Sequence, residues 1–364
     1  MNSGSKHIHF IDVKDWPYEK WLQWRKDHPG FGGSEIAAVC ATYSDYLRQY
    51  IHEDPIKMHM KHIGEKVQEF TGNRFSRWGH FHEETIQYLY QFWDPANPGE
   101  EVMFQNEKAG KVVTDVFTPK IYVTNDKYPL LFYSPDGFIG RNFRGLGNLE
   151  CKNTTAMEAS SYPNMVNPSF ILQVQQGLLL TERDYAAIVI HLDGNDLKEI
   201  IIKPDKEIQT FILESAEKFH DTISKCRAIK EQYHIDTYAD KSMESLTPKQ
   251  QEGVGMLMRL EPELTGNDNE LEFIKELVTP PEEEVVDREG SQEEFELVMQ
   301  RREHKKEIQV INNEINKIEA QLIRALGDQY NRMWFDDEQF KKDWAQYRAE
   351  KRGNKVFRVS KSLQ

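Results

Sequence analysis

Ser134-Pro135-Asp136-Gly137 and Leu149-Glu150-Cys151-Lys152 are the two stretches on which the reading of this chain turns. The second is a Glu-x-Lys within an apolar run. Side chains alternate along a strand, so Glu150 and Lys152 share one face while Cys151 points to the other, into the core. Asp136 closes the apolar run 130–133, and the connection between the stretches (140–147) is rich in turn residues. If the two runs pair as a hairpin, Asp136 and Glu150 converge at one end of a sheet. Two carboxylates that close repel unless something positive lies between them. Oxygen-only ligands favour Mg²⁺, with Mn²⁺ as a substitute, over zinc. Magnesium prefers phosphate as its remaining partner, so the pattern points to phosphodiester hydrolysis. Lys152 supplies a point charge beside the attacking water or the charge developing on phosphate. Neither element is specific alone. Glu303-His304-Lys305 repeats the Glu-x-Lys on a solvated helix face, and Asp in Pro-Asp-Gly is an ordinary turn residue. Order and strand context give the pair its meaning.

Working outward, 16–47 reads as helical, broken by Pro29-Gly30-Phe31-Gly32-Gly33, with Ser34 where a helix N-cap belongs. A helix is expected over 79–93, carrying Glu83. Strand-like runs follow at 102–105, 111–117, 121–124, 130–133 and 149–152. A helix over 169–180, strands at 185–192 and 197–202, and a helix over 205–230 complete the pattern. Helix, mixed sheet, helix, strands, helix is an α/β or α+β arrangement. Beyond it, Ile308, Ile311, Ile315, Ile318, Leu322 and Ala325 recur at alternating spacings of three and four, a heptad pattern suited to a helical hairpin or short coiled coil. A short basic strand is expected at 355–359, after the Gly353-Asn354 turn. His80 and His82, two apart on a helix, point apart and cannot readily share an ion. Lys6-His7-Ile8-His9 reads as a mobile terminus.

The chain has 364 residues with 46 Lys+Arg against 60 Asp+Glu, a net charge of −14. In bulk this argues against a polyanionic partner, but the charge is uneven. Residues 261–296 alone carry a net of −12, residues 1–230 only −5, and the last 24 residues +6. The acidic stretch contains Thr279-Pro280-Pro281-Glu282-Glu283-Glu284, where two prolines and like charges disfavour a helix. The expected division is therefore 1–230 as the catalytic domain, 231–290 as an acidic linker or mobile segment, and 291–364 as a helical region ending in a basic strand. Cys40, Cys151 and Cys226 are odd in number and widely spaced, which fits a reducing cytoplasm and no disulfide framework. No apolar run is long enough for a membrane span, and the first residues lack the regions of a signal peptide.

Five segments, taken in order, resemble the lambda-exonuclease/YqaJ branch of the PD-(D/E)xK nucleases over about residues 15–225. They are Trp21-Leu22-Gln23-Trp24-Arg25, Gly33-Ser34-Glu35-Ile36, Trp78-Gly79-His80-Phe81-His82-Glu83, the Asp136 and Glu150–Lys152 pair, and Gln173-Val174-Gln175. The resemblance implies a restriction-endonuclease-like core with a mixed central sheet flanked by helices, joined here to a mainly helical C-terminal extension. It implies Asp136, Glu150, Glu83 and the Cys151 carbonyl as metal ligands, Lys152 as the water-activating or charge-stabilising group, and Gln173 as a support for the site. Arg25 and Ser34 match positions that engage a DNA 5′-phosphate. This suits bidentate recognition by arginine and anion binding at a helix start. The implied activity is a Mg²⁺-dependent deoxyribonuclease that digests linear double-stranded DNA 5′→3′, releases 5′-phosphomonoester products, and hands a 3′ single strand to an annealing protein in phage-type recombination. A trimer and a bacterial host cytoplasm are implied by the same analogy. The rival readings are an endonuclease or other DNA-processing nuclease on the same core, and a non-catalytic DNA-end or protein-binding module.

Overall fold

The computed structural model describes residues 6–65, 67, 74–142, 145–239, 245–264, 266, 268–277, 291–326, 332–335, 343–349 and 355–359. The chain falls into two compact units, Met1–Pro280 and Pro281–Gln364.

The first unit is built on two mixed sheets. One has the order β3-β6-β7-β8-β9, from β3 (Val116–Phe117), β6 (Gly137–Asn142), β7 (Gly145–Thr154), β8 (Tyr185–Leu192) and β9 (Asp196–Ile202). β6 and β7 form the antiparallel hairpin that the sequence suggested, in a register that sets Gly137 opposite Leu149. β7 and β8 run parallel, and every residue of β8 is buried, as expected for a central strand covered on both faces. The other sheet has the order β1-β4-β5-β2, from β1 (Ile8–Asp12), β4 (Ile121–Asn125), β5 (Leu131–Tyr133) and the two-residue β2 (Phe31–Gly32).

Helices fill the space between and around the sheets. α5 (Arg74–Tyr90) covers the Cys151 face of the first sheet, where Ile86 and Tyr90 pack with Leu149, Cys151 and Val189. α8 (Pro168–Thr181) covers the opposite face through Val174 and Leu178, against Ala186, Ile188 and Ile190. Asn167 caps α8 by accepting from the Ser169 N–H, and Pro168 sits at its first position. The far side of α8 meets α2 (Ile36–Ala41) and α9 (Lys206–Tyr233). α9 buries Ile212, Ala216, Phe219, Ile223, Cys226 and Tyr233 along one face, at the three-to-four spacing of an amphipathic helix. Fully burying each large apolar side chain there contributes about 1.5–3 kcal/mol.

With neighbours on both sides, α8 touches the strands closely. A Cβ on Gly177 would stand 2.7 Å from the Tyr133 ring, and one on Gly30 would stand 2.3 Å from the Leu130 carbonyl group. Both positions exclude a side chain. The Gln176 amide then donates to the carbonyls of Phe31 (3.0 Å) and Phe132 (2.8 Å), clamping β2 to β5.

Several sequence expectations differ from the structure. Residues 102–105 lie in a helix, α6 (Glu100–Lys108), whose first turn carries Glu100 and Glu101 at the favourable positive end. The run 111–117 contributes only β3. The terminus at 6–9 is not loose, because β1 pairs with β4 while His7 meets Glu182 and His9 meets Asp126, each at 2.8 Å. Packing also continues past the boundary drawn near 230. α10 (Pro248–Met258) buries Val254 and Leu257, and α11 (Asp268–Leu277) buries Phe273, so apolar residues within the stretch read as linker join the main core. Residues 279–284 lie outside the described residues.

Two histidines of α4 (Pro55–His62) face the same core. His59 is fully buried, and burial pulls its imidazole, like that of His62, down to about 4. Such groups stay neutral in the folded state but gain protons in the unfolded chain near 6.5, so their contribution to stability is intact above pH 6.5 and lost as pH falls toward 4. A drop from 6.5 to about 4, at about 1.36 kcal/mol for each tenfold in acidity, predicts a loss of roughly 3 kcal/mol per histidine across that window. Urea melts at pH 7 and pH 4 check this, and an unchanged midpoint contradicts it.

The second unit contains α12 (Gln292–Leu326) and a three-stranded antiparallel sheet in the order β10-β11-β12. α12 spans the heptad stretch, with Ile308, Ile311, Ile315 and Ile318 exposed. β12 (Lys355–Val359) is the basic strand expected from the sequence. Its neighbours β10 (Arg332–Phe335) and β11 (Asp343–Ala349) were not anticipated, and Gly353-Asn354 lies outside the described residues. Among the described residues, no helix is long and apolar enough to cross a membrane.

Candidate active site

The β6–β7 ladder ends at Gly137 and Leu149, which frees the edge of β7 just beyond. The Cys151 N–H donates there to the Asp136 Oδ2 at 2.7 Å. In a strand the N–H and C=O of one residue point to the same side, so the Cys151 carbonyl also lies on the Asp136 side. The Cys151 thiol is buried in the apolar cluster under α5, and burial pushes it well up. It is a core residue, as the alternation implied.

On the opposite face, Glu150 is 1% exposed and fully engaged. Its Oε1 accepts from Lys152 Nζ at 2.6 Å and from the Gln173 amide at 2.5 Å, and its Oε2 accepts from the Tyr133 hydroxyl at 3.2 Å. Lys152 Nζ also donates to the Gln173 Oε1 at 3.3 Å and sits 4.5 Å from the centre of the Phe170 ring. Burial disfavours the Lys152 charge, but Glu150 and Asp136 outweigh it and raise the ammonium above its ordinary range. Lys152 therefore stays protonated at neutral pH. Asp136 behaves in the opposite way. Burial and the negative charges of Glu150 and Glu83 push its carboxyl well up, against the pull of Lys152.

Glu83 comes from α5. Gln87, one turn later, donates from one amide to the Glu83 Oε1 (3.2 Å) and to the Asp136 backbone carbonyl (2.9 Å), tying the helix to the strand end. Tyr133 and Gln87 carried no sequence signal. Their roles arise from tertiary proximity, although Tyr133 stands directly before the Ser-Pro-Asp stretch. His82 stacks on Trp78 (5.5 Å between ring centres) and lies 5.3 Å from His191. The side chain of His80 lies outside the described residues.

Asp136 feels the negative charges of both Glu150 and Glu83, and three carboxylates from neighbouring elements are the oxygen donors that a divalent cation takes. Among the described residues, no three His, Cys, Asp or Glu side chains already converge as a cage. The Glu150 oxygens are occupied by Lys152, Gln173 and Tyr133 instead.

Arg25, from α1 (Tyr18–Asp27), and Ser34 lie together beside this centre. The Arg25 Nη2 is 3.5 Å from the Ser34 Oγ and 3.7 Å from the Glu35 Oε1, and its guanidinium lies 4.9 Å from the Trp21 ring centre. Glu35 is buried, accepts from the Gly32 N–H (2.9 Å) and pairs with Lys61 (2.7 Å). Burial opposes its ionisation, yet Lys61 and Arg25 prevail and hold its carboxyl down at about 2. Ser34 is not the N-cap. α2 begins one residue later, with Glu35 at the cap position, because the Glu35 carboxylate turns back to Gly32 and Lys61. Gly33 links the two groups, since a Cβ there would touch Gln173 and Tyr133 at 3.2 Å.

Residues 20–184 match the family model of the YqaJ-like viral recombinase domain. Among solved structures, an alkaline exonuclease (LHK-Exo) from Laribacter hongkongensis aligns with 18% identity and a TM-score of 0.40, over 59% of this chain and 98% of that one. A phage-related exonuclease from Haemophilus somnus 129PT aligns with 14% identity and a TM-score of 0.36, over 54% of this chain and 96% of that one. No curated protein matches the chain. Arg25, Ser34, Glu83, Asp136, Glu150, Lys152 and Gln173 all fall inside the matched stretch. The likeness to the YqaJ-like viral recombinase domain thus spans residues 20–184, the stretch that carries all of these side chains.

Proposed function

We propose that this domain is a metal-dependent exonuclease acting on linear double-stranded DNA in the 5′→3′ direction, leaving 5′-phosphate products and a 3′ single strand for an annealing protein in phage-type recombination. The observation that carries the reading is the convergence of Asp136, Glu150 and Lys152 at the open end of one hairpin, with Lys152 Nζ 2.6 Å from Glu150. Asp136 and Glu150, with Glu83 and the Cys151 carbonyl, would hold Mg²⁺, and Mn²⁺ would substitute. The ion supplies Lewis acidity at the scissile phosphate. The chain's own groups do the rest. Lys152, kept protonated by its neighbours, presents a fixed positive charge to the phosphate as negative charge develops there. Gln173 holds the Lys152 and Glu150 heads in one arrangement, donating to the Glu150 carboxylate and accepting from the Lys152 ammonium. Arg25 and Ser34 would engage the 5′-phosphate, and the Arg25 fork suits bidentate contact.

The test uses linear 5′-phosphorylated duplex, linear 5′-hydroxyl duplex and closed circular plasmid, each with Mg²⁺ or with chelator. Metal-dependent loss of linear DNA only, slower from 5′-hydroxyl ends, is expected. Cutting of the circular plasmid would instead indicate an endonuclease. Inertness on all three substrates rules out the catalytic reading.

A further inference from the structure

A cleft of about 470 Å³ opens beside Lys152, and none of the roles above uses it. That volume lies within the ~300–1,000 Å³ of small-ligand sites. His52, Tyr162, Met165 and Phe170 line it, and Lys152 closes one end. Phe170 belongs to both places, since its ring carries the Lys152 ammonium and also faces the cleft. The His52 ring lies 6.3 Å from it, inclined by 32°.

Several polar groups of the wall already have partners. Glu158 accepts from Tyr162 (3.1 Å) and Thr154 (2.8 Å), and the Asn167 Oδ1 accepts from the Ser169 N–H (2.9 Å). What the cleft offers an occupant is therefore mainly aromatic and apolar surface, from Phe170, Tyr162, Met165, Ala159 and Ile190. Its outer wall is also strained. Asn164 and Met165 are consecutive non-glycine residues in the left-handed region, at φ 53° and 63°. Such residues persist where surrounding structure imposes them, and they cluster at ligand sites. Met165 is held in place by Lys198, whose Nζ lies 2.8 Å from its sulfur.

We propose that this cleft receives the nucleobase of the nucleotide whose phosphate lies at Lys152, and that it stacks the base without reading its identity. The inference rests on the nuclease reading for the position of the phosphate. Stacking on aromatic rings is sequence-tolerant because every base has a π face. That property suits an enzyme that must remove all four nucleotides in succession.

The test measures equilibrium binding to the full chain of the four deoxynucleoside 5′-monophosphates, with deoxyribose 5-phosphate and inorganic phosphate as probes without a base. All four nucleotides are expected to bind within about threefold of one another and about tenfold or more tighter than the sugar phosphate. Phe170→Leu, which keeps an apolar side chain but removes the ring, should shrink the difference to about threefold. Should that variant fold poorly, wild-type hydrolysis of duplex with a single abasic site at the second nucleotide from the 5′ end, whose phosphate lies at Lys152, supplies the same contrast as a raised KM. Equal binding of nucleotides and sugar phosphate overturns the proposal, and so does a tenfold preference for one base. The two readings separate cleanly. DNA loss with nucleotides bound no tighter than the sugar phosphate removes the subsite and leaves the nuclease. All four nucleotides bound more tightly than the sugar phosphate, without hydrolysis, remove the nuclease and leave the subsite.

Discussion

Lys152→Ala is expected to lower the rate of linear duplex hydrolysis by about 10²–10³-fold or more, the loss typical when one preorganised charge or donor facing the developing negative charge is removed. The geometry explains why no neighbour can substitute. Of the groups acting on it, Glu150 and Asp136 carry the opposite charge and Gln173 is neutral. Arg25 is committed to the Ser34 and Glu35 side. The variant also leaves the buried Glu150 carboxylate facing only the Gln173 amide and the Tyr133 hydroxyl, a desolvated charge whose lost partner costs stability. A thermal melt must therefore accompany the assay, so that lost activity is read on folded protein. Lys152→Arg sharpens the test. It keeps the charge but replaces a compact ammonium with a planar fork, so it should fold better than the alanine variant and still lose most of the rate. Folded Lys152→Ala protein with activity within tenfold of wild type would show that Lys152 plays no part in the chemistry.

The hairpin that carries this site was legible because its signal is local. Alternation put Glu150 and Lys152 on one face and Cys151 on the other, and the turn-rich connection foretold the pairing of β6 with β7. The helix 169–180 and the strands at 185–192 and 197–202 were legible for the same reason, being long and strongly patterned. What failed was what depends on distant partners. β1 reads as a polar terminus until β4 supplies its ladder, and residues 102–105 look strand-like until one buried residue, Met103, anchors a helix. Ser34 was placed one residue too far into the helix, because no local rule says that Glu35 will turn toward Lys61, twenty-six residues later. Tyr133, Gln87 and Gln176 could not have been found from spacing, since each acts on an atom from another element. The resemblance, not spacing, brought Arg25 and Ser34 together, and the structure sets them 3.5 Å apart.

Glu65→Ala is expected to destabilise the first unit by about 3–5 kcal/mol, the cost of leaving one partner of a buried ion pair alone. Glu65 lies just after α4, with its side chain 1% exposed. Its Oε1 accepts from Lys230 near the end of α9 at 2.6 Å, and its Oε2 accepts from the backbone N–H groups of Tyr238 (3.0 Å) and Ala239 (3.2 Å). One carboxylate thus fastens three stretches of chain, one of them beyond the boundary that charge and proline content had suggested. If residues 231–239 were a loose linker, the alanine variant would behave as a surface substitution and cost within about 0.5 kcal/mol. Against a total stability of about 5–15 kcal/mol for a typical domain, a loss of 3–5 is large enough to read directly from the urea midpoint. A double-mutant cycle with Lys230→Met isolates the pair. The second change removes the stranded ammonium, so the double variant should recover part of the loss caused by Glu65→Ala alone. Glu65→Gln should fall between wild type and alanine, because the amide oxygen can still accept from the two N–H groups while the charge is gone. A midpoint unchanged by Glu65→Ala would detach residues 231–239 from the core and restore the shorter catalytic domain that the sequence alone implied.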